Sequence, residues 1–408
     1  MAQTYSGTFY GGTGRTKRQQ YESTFSALQT ERTTFEAHWR DLATYFLPRR
    51  TRWQASDRNK GDRRNQSIID STGPFAARTL RSGMHAGITS PARPWMRLTT
   101  PDPDLAEFGS VKEWLHTVTQ RMLTVFLRSN LYNVLPTTYG DMAVFATAAM
   151  GVMDDEKDLF RCYSYPLGSY WLGVNERQVC DQFIREYLLT IAQLVSAFGL
   201  DKISLTARKL WDEGRYESTV EVCWIVQPNK DADASKFESK YLPFYSCHFE
   251  KGRSEEDKFL RESGFNEFPV LAPRWDVTGE DIYGTDCPGM ASLGDNKALQ
   301  LMQKRKAQAV ELMINPSLQG PTTVRNQKAS LLPGDITYID IASGQDGLRP
   351  IREVRMSIAE LTADIEETRY LIRRSFYEDL FLMLATMDRR QPSTAREIEE
   401  RHVEKLLA

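Results

Sequence analysis

The sequence lacks the long apolar segments that a membrane protein needs. No apolar run among its 408 residues approaches the roughly 18 residues required to span a bilayer. Residues 1–22 also lack the hydrophobic core of a secretory signal. We therefore expect a soluble globular protein of intracellular origin that has no membrane partner.

Cysteine is scarce, and the few cysteines present are far apart. There are five, and no two of them form a CxxC pair. Zinc sites and disulfide frameworks are usually recognised by closer or regular spacing. We expect reduced thiols that pack as small apolar side chains, with no metal site, at Cys162, Cys180, Cys223, Cys247 and Cys287.

An excess of positive charge is also missing. The chain has 52 Lys and Arg residues against 54 Asp and Glu residues, a formal net charge of −2. Non-specific affinity for duplex DNA comes from many neutralised phosphates. This balance excludes a protein that coats DNA with its whole surface, so any contact with nucleic acid must be local.

The short motifs of common enzyme classes are absent. The chain contains no GxxxxGK[ST], GxGxxG, HExxH or GxSxG sequence. Its histidines are scattered, and Cys247 and His248 are adjacent in a strand-like run, where neighbouring side chains point to opposite faces. We expect a buried thiol beside an exposed imidazole, and neither a catalytic residue nor a cofactor.

The chain does contain clear helical and strand-like periodicity. Residues 1–13, rich in Gly, Ser and Thr, are predicted to be a disordered arm. Helices are predicted near residues 15–46, 67–88, 110–128, 131–148, 190–198 and 203–213. Short strands are predicted in GVMDD, FRCYSYP, SYWLGV, VCDQFIREYLL, TVEVCWIVQP and YLPFYSCHFE. Most connections between them are too short for crossover helices, so we predict an α+β fold with mainly antiparallel pairing.

Two features of the N-terminal region bear on function. The first helix carries an aromatic stripe, Phe25, Phe35, Trp39 and Phe46, which indicates a core or a subunit interface and not a cofactor site. After it, PRRTRWQASDRNKGDRRN is strongly basic. This segment is either a solvated loop or a contact for phosphate or an acidic partner.

The C-terminal part has two long helices around a compact β segment. The first, NKALQLMQKRKAQAVELMINP, begins after Asp295 and has a basic middle; the second begins near Ile351. Between them lie several Gly and Pro residues and the strand-like DITYIDI. A last helix, capped by Ser393 or Thr394, still continues at Ala408, so we expect the natural protein to extend further.

Four segments, in this order, resemble portal proteins, the head-to-tail connectors of short-tailed, T7-like bacteriophages. The resemblance covers residues 21–407. It rests on FEAHWRDLATYFLPRR, FNEFPVLAPRWDV, DIYGTDCPGMASLGDNKAL and PSTAREIEER. The chain departs from the family in GTDCPGM, where relatives commonly have a Gly-Arg-Ser-Pro-like turn.

The resemblance implies a portal-like fold built into a ring, expected to be dodecameric, around double-stranded DNA that is bound without sequence specificity. Its further implied partners are the terminase, the major capsid and scaffolding proteins, and the tail adaptors. Its implied locations are the portal vertex of the virion and, during assembly, the host cytoplasm. The implied domains are a wing (14–295), a first stem helix (296–316), a clip (317–350), a second stem helix (351–376), a wing return with the tunnel loop (377–393), and a helix (394–408) toward a crown that is missing or not included.

The resemblance also implies roles for individual residues. The stem residues expected at the DNA channel are Lys297, Lys304, Arg305 and Lys306, and those of the tunnel loop are Asp388, Arg389, Arg390 and Gln391. Clip contacts with the terminase or a tail adaptor are expected at Arg325, Asn326, Gln327, Lys328, Asp346 and Arg349. Subunit-interface roles are expected for Arg32, Arg369 and Arg373. Because adjacent helical residues point 100° apart, at least one of residues 304–306 should face a neighbouring subunit.

Two other functions remain open from the residues alone. One is a nucleic-acid-processing enzyme with an unfamiliar site. The other is a helical capsid scaffold or adaptor that does not enclose DNA. Only the portal interpretation predicts a closed ring with an open axial hole.

Overall fold

The computed structural model describes residues 16–57, 59, 61–252, 258–314, 318–319, 349–350 and 358–381. The predicted N-terminal arm, most of the predicted clip, the tunnel loop and the last helix lie outside these residues. Among the described helices, none combines the length and the apolar character needed to cross a membrane.

The N-terminal part is helical, as predicted. Helix α1, Lys17–Tyr45, begins at a capping box, in which the backbone N–H of Gln19 donates to Thr16 Oγ1 and that of Thr16 donates to Gln19 Oε1. Four helices follow: α2 Thr72–Gly87, α3 Pro103–Glu107, α4 Gly109–Arg128 and α5 Leu131–Phe145.

The middle of the chain forms strands interrupted by two helices. The strands are β1 Ala149–Asp155, β2 Leu159–Tyr165, β3 Tyr170–Val174, β4 Cys180–Thr190, β5 Thr219–Pro228, β6 Phe244–Glu250, β7 Arg261–Phe265 and β8 Val270–Leu271. Helices α6 Ile191–Phe198 and α7 Leu205–Asp212 lie between β4 and β5, and a short 3₁₀ turn, Ser239–Tyr241, precedes β6. The remaining elements are α8 Pro288–Ala291, α9 Leu293–Ile314, β9 Leu318–Gln319, β10 Arg349–Pro350 and α10 Ile358–Ser375.

Both larger sheets are antiparallel, which confirms the predicted α+β class. One has the order β3-β4-β5-β6-β7, and the other has the order β2-β1-β8. In the first, Phe183 of β4 is opposite Val226 of β5, which is opposite Ser246 of β6. Because strand neighbours in space are mostly neighbours in sequence, this sheet is a meander that needs no parallel crossover.

The main core joins α1 to this sheet and to the C-terminal helices. Tyr283 is fully buried; its ring centroid lies 5.0 Å from that of Trp39, and its hydroxyl accepts from the N–H of Leu172 at 3.1 Å. A Cβ on the next residue, Gly284, would lie 2.2 Å from the carbonyl oxygen of Ala146. The segment before α8 therefore crosses the core in direct backbone contact with the end of α5.

Three helix boundaries differ from the sequence prediction for local reasons. Helix α2 begins later, at Thr72, whose N–H donates to the Asp70 carboxylate at 2.9 Å. Helix α5 ends earlier, because Ala146 adopts a left-handed φ of 59°. Helix α9 starts earlier, at Leu293, which is buried.

An ion pair fastens the loop after α1 to α5. Arg50 Nε donates to both carboxylate oxygens of Asp141, at 2.8 and 2.9 Å, and Arg50 Nη2 donates to one of them at 2.6 Å. The same guanidinium reaches the hydroxyl of Ser164 and the carbonyl of Tyr165 on β2. Asp141 is 2% exposed, so its charge depends on this partner.

Replacing Asp141 with Ala should lower the free energy of unfolding by about 3 kcal/mol, because Arg50 would remain charged without its partner in a mostly buried site. Urea unfolding of the full chain at one fixed protein concentration, followed by tryptophan fluorescence, measures this. Asp154→Asn, at an exposed carboxylate of β1, is the control and should change stability by less than about 0.5 kcal/mol. Equal effects of the two substitutions would contradict this role of the ion pair.

Candidate functional site

Helices α9 and α10 pack side by side and run antiparallel. Lys306 Nζ donates to Thr362 Oγ1 at 3.0 Å, and the Thr368 hydroxyl lies 3.9 Å from Met302 Sδ. In one direction along the pair, residue numbers therefore decrease on α9 and increase on α10. These contacts set which residues of the two helices lie at the same level.

Polar side chains on one face of α9 hold the segment before α2. Gln300 Oε1 accepts from the backbone N–H groups of Ile69 and Asp70, both at 2.7 Å, and Gln300 Nε2 donates to the carbonyl of Asp70 at 2.9 Å. Asn296, fully buried one turn earlier, donates to the carbonyl of Tyr45 at the end of α1. The start of α9 is therefore bonded to two separate parts of the N-terminal region.

The Asp70 carboxylate completes this contact by joining three helices. One oxygen accepts from the backbone N–H and the hydroxyl of Thr72, at 2.9 and 2.6 Å, at the start of α2. The other accepts from Gln303 Nε2 of α9 at 3.0 Å and from Arg369 Nε and Nη2 of α10 at 3.0 and 2.6 Å. We call Asp70, Gln300, Gln303 and Arg369 the Asp70 junction.

The junction carboxylate is stabilised in its charged form. Burial alone would raise the pKa of Asp70, but the hydrogen bonds from Thr72 and Arg369 outweigh burial and lower it. The pKa of Arg369 is raised, chiefly by its hydrogen bond to Asp70. The pair is therefore ionised at neutral pH.

The four basic α9 residues expected at the channel do not share one environment. Lys297 Nζ lies 2.6 Å from Asp41 of α1, and Lys306 donates to Thr362, so both have partners in the same subunit. Lys304 and Arg305 are exposed and contact no acidic side chain among the described residues. Of the four, these two have charges that remain available to another molecule.

The three residues expected at a subunit interface are also divided. Arg32 is 3% exposed; its Nη1 donates to the carbonyls of Gly168 and Tyr170, at 2.8 and 2.9 Å, and its guanidinium lies 3.9 Å from the Trp171 ring centroid. These contacts bind α1 to β3 within one subunit, so we no longer expect Arg32 at a subunit interface. Arg369 belongs to the Asp70 junction, whereas Arg373 is exposed.

The remaining predicted site residues lie mostly outside the described residues. This applies to Asp388, Arg389, Arg390 and Gln391 of the tunnel loop and to Arg325, Asn326, Gln327, Lys328 and Asp346 of the clip. The backbone of Arg349 pairs with that of Gln319 where β9 and β10 meet. This short ladder closes the base of the segment between the two long helices.

Two arginines of the basic loop after α1 make contacts inside the subunit. Arg50 pairs with Asp141, and Arg64 pairs with Asp57 in the loop itself. Part of the positive charge is therefore neutralised within the subunit, which leaves those two residues less charge to offer a phosphate or an acidic partner.

The thiols and the histidine considered as a candidate catalytic pair have structural environments. All five cysteines are free; four are buried, as the prediction of packed thiols requires, and Cys180 is half-buried. His248 is half-buried, not exposed as predicted, because its ring stacks on that of Trp224. Burial, with Arg261 and Arg185 nearby, lowers the pKa of His248 to about 3, so it stays neutral. Within the described part of the chain, no group of His, Cys, Asp and Glu residues is arranged to hold a metal ion.

A family comparison decides the assignment. The family model described as "Bacteriophage head to tail connecting protein" matches residues 18–408. The chain belongs to this connector family. The resemblance to portal proteins is thereby confirmed.

Individual relatives of the connector agree with this result. The portal protein of Salmonella phage epsilon15 is 47% identical over 392 residues, which cover 96% of this chain and 70% of that protein. The probable portal protein of Bordetella phage BPP-1 is 42% identical over 393 residues, with the same two coverages. Both names describe a structural component of a phage.

A solved structure shows only a weak likeness to the connector. A chain of the "Neck of empty GTA particle computed with C6 symmetry" aligns with 85% of this chain and 76% of its own length. The TM-score is 0.36 and the identity is 10%. A TM-score of this size does not establish a shared fold.

Sequence reasoning missed the Asp70 junction of the connector. A signal was present, since Asn296, Gln300 and Gln303 are polar residues spaced four and three apart on one face of α9. Buried amides at such positions need partners. Nothing in the local sequence identifies residues 69 and 70 as those partners.

Replacing Asp70 with Asn should lower the free energy of unfolding by about 2–3 kcal/mol at pH 7, because charge-assisted hydrogen bonds to Arg369 and Thr72 are weakened. The pKa of Asp70 is lowered by folding, so its contribution is present above about pH 4 and is lost as the pH falls through the folded-state pKa. The stability gap between the two proteins should therefore shrink toward pH 3.

Urea unfolding at both pH values measures this gap. Asp379→Asn, at an exposed carboxylate shortly after α10, is the matched control and should show little effect at either pH. A gap for the Asp70 variant that is the same at both pH values would refute the charged junction.

Proposed function

We propose that many copies of this connector close side by side into a portal ring at one capsid vertex, and that double-stranded DNA enters and later leaves through it. The observation that carries this proposal is the 47% identity to the epsilon15 portal protein over 96% of the chain. The ring is proposed to have twelve copies and to work with a terminase, the capsid and scaffolding proteins, and tail adaptors. It would assemble in the host cytoplasm and remain in the virion.

The described architecture supports a division into a body and a projecting helix pair. In the proposal, the two larger sheets and α1–α8 form the wing. Helix α9, of 22 residues and so about 33 Å long, and α10 form the stem. The segment that starts at β9 and returns at β10 would be the clip. The Asp70 junction would transmit the position of the wing to the stem.

The charge distribution supports weak contact with DNA. A passage that must let a duplex slide cannot hold many phosphates per subunit, since the attraction is repeated in every copy of the ring. The net charge is −2, and Lys297 and Lys306 already have partners within the subunit. In the tunnel loop, we propose that Arg389 and Arg390 approach the duplex, with Asp388 and Gln391 beside them.

The clip would present its own set of side chains to the terminase and the tail adaptors. We propose that these partners contact Arg325, Asn326, Gln327, Lys328, Asp346 and Arg349. The antiparallel pairing of Arg349 with Gln319 would fix where this projection leaves the stem.

The purified full chain should assemble into closed rings with an open axial hole, because each subunit of such a ring presents two different contact surfaces. Negative-stain images and the mass of the assembled species measure this. A compact monomer at every concentration, or a particle that is solid along its axis, would refute the portal function. Mg²⁺-dependent cleavage of plasmid DNA by the pure chain would favour the enzyme alternative instead.

A further inference from the structure

The α9–α10 pair has an exposed stripe on α9. It contains Leu301, Lys304, Arg305 and Leu312, which are all exposed and lie within about three turns of one another. Leu301 and Leu312 are each 48% exposed. Two large apolar side chains beside two cations form a surface that is suited to a partner with matching character.

Helix α10 carries a second exposed stripe of complementary character. Asp364, Glu367 and Leu371 follow the helical spacing of three and four residues and so lie on one side. Leu371 is 42% exposed, and neither carboxylate contacts a basic side chain among the described residues. The neighbouring Glu366, by contrast, is bonded to Arg369 of its own helix.

The two stripes face away from the contact between the helices. On α9, Met302 and Lys306 point to α10 and Leu299 is fully buried, whereas Lys304 and Arg305 are exposed. On α10, Ile365 and Ile372 are buried, and Phe376 is buried directly after the helix ends. One helix pair therefore offers two different outer surfaces, which is what a head-to-tail contact in a ring requires.

The stripes also match in height. The contacts of residue 306 with 362 and of 302 with 368 place Lys304 and Arg305 at the level of Asp364. Glu367 lies within one helical turn, about 5 Å, of that level. By the same register Leu301 lies within about one turn of Leu371. Subunits related by rotation about the ring axis keep equal heights, so these groups can meet across a subunit boundary.

We propose that the α9 stripe of one subunit docks on the α10 stripe of the next, with Lys304 and Arg305 paired to Asp364 and Glu367 and with Leu301 against Leu371. This inference rests on the proposed ring and adds the surfaces that close it. The occupant of each stripe is thus a second copy of this chain.

A groove at the top of the α10 stripe adds to the negative character of the receiving side. Leu371 and Arg374 line it together with Asp276 and Asp286 from the segment before α9 and with Asp295 in the first turn of α9. Three carboxylates against one arginine give this wall an excess of negative charge. The basic stripe of a neighbouring α9 is therefore attracted to it.

The docking has a consequence for the passage. If Lys304 and Arg305 are neutralised by the neighbouring subunit, the stem presents less positive charge to DNA. A duplex could then slide with little electrostatic drag, while the same cations hold the ring together.

Charge reversal in the full-length chain tests the pairing. Two double variants reverse the charge on one side of the contact: Lys304→Glu with Arg305→Glu, and Asp364→Lys with Glu367→Lys. Each should raise the protein concentration at which half of the subunits are assembled by about tenfold or more, because like charges would then face each other. The four changes together should restore assembly to within about threefold of the original chain. Asp201→Lys with Glu217→Lys, at exposed sites next to α6 and α7, is the matched control and should assemble normally.

Ring fraction is read from mass measurements and negative-stain images over a concentration series, with circular dichroism to verify folding. The pairing is overturned if the original chain and both reversed variants assemble alike. It is also overturned if the combined variant does not recover the ring fraction of the original chain. Either result would leave the proposed ring intact. Absence of rings in the original chain would overturn the portal function as well.

A cysteine pair provides a second readout that does not depend on charge. Leu301→Cys combined with Leu371→Cys should give a ladder of covalent oligomers on mild oxidation, because the two positions lie on opposite outer sides of one subunit and meet only across a boundary. Each single substitution is the control. Covalent oligomers no more frequent than in the single variants would overturn the proposed contact.

Discussion

The Asp70 carboxylate bonds both long C-terminal helices to the start of α2. Asp70 accepts hydrogen bonds from residues of α2, α9 and α10, and the most distant of them, Arg369, is 299 positions from Asp70 in sequence. Few apolar contacts could replace it with equal directionality, since each bond fixes an angle as well as a distance. The position of the helix pair relative to α2 therefore depends in part on a carboxylate that is almost fully removed from solvent.

The packing around this junction explains how a projecting helix pair can be rigid at its base. Leu299, Ile365, Ile372 and Phe376 are buried beside it, and the Phe376 ring lies 5.5 Å from that of Phe46. Toward the far end, α9 becomes exposed, as Leu312 shows. The pair is thus anchored at one end by core packing, and in the proposed ring its other end would be supported by neighbouring subunits.

The sequence predicted the element types well and the contacts between them poorly. The alternating pattern of TVEVCWIVQP gives β5 with the same bounds, and the apolar stripe with Trp39 identifies α1 and its buried face. Periodicity is a local property, however. It cannot show that Arg32 is enclosed by β3 and that Lys297 pairs with Asp41, because both contacts join distant parts of the chain. The polar spacing on α9 was visible, but its partner was not.

The buried thiols have a consequence for the life of the particle outside the cell. Burial raises the pKa of Cys162 to about 11 and those of Cys180 and Cys287 to about 12. The thiolate is the form that oxidants attack, and it is almost absent under these conditions. A released phage no longer has cytosolic reductants, and in a ring built from this chain burial would slow the oxidation of these three cysteines.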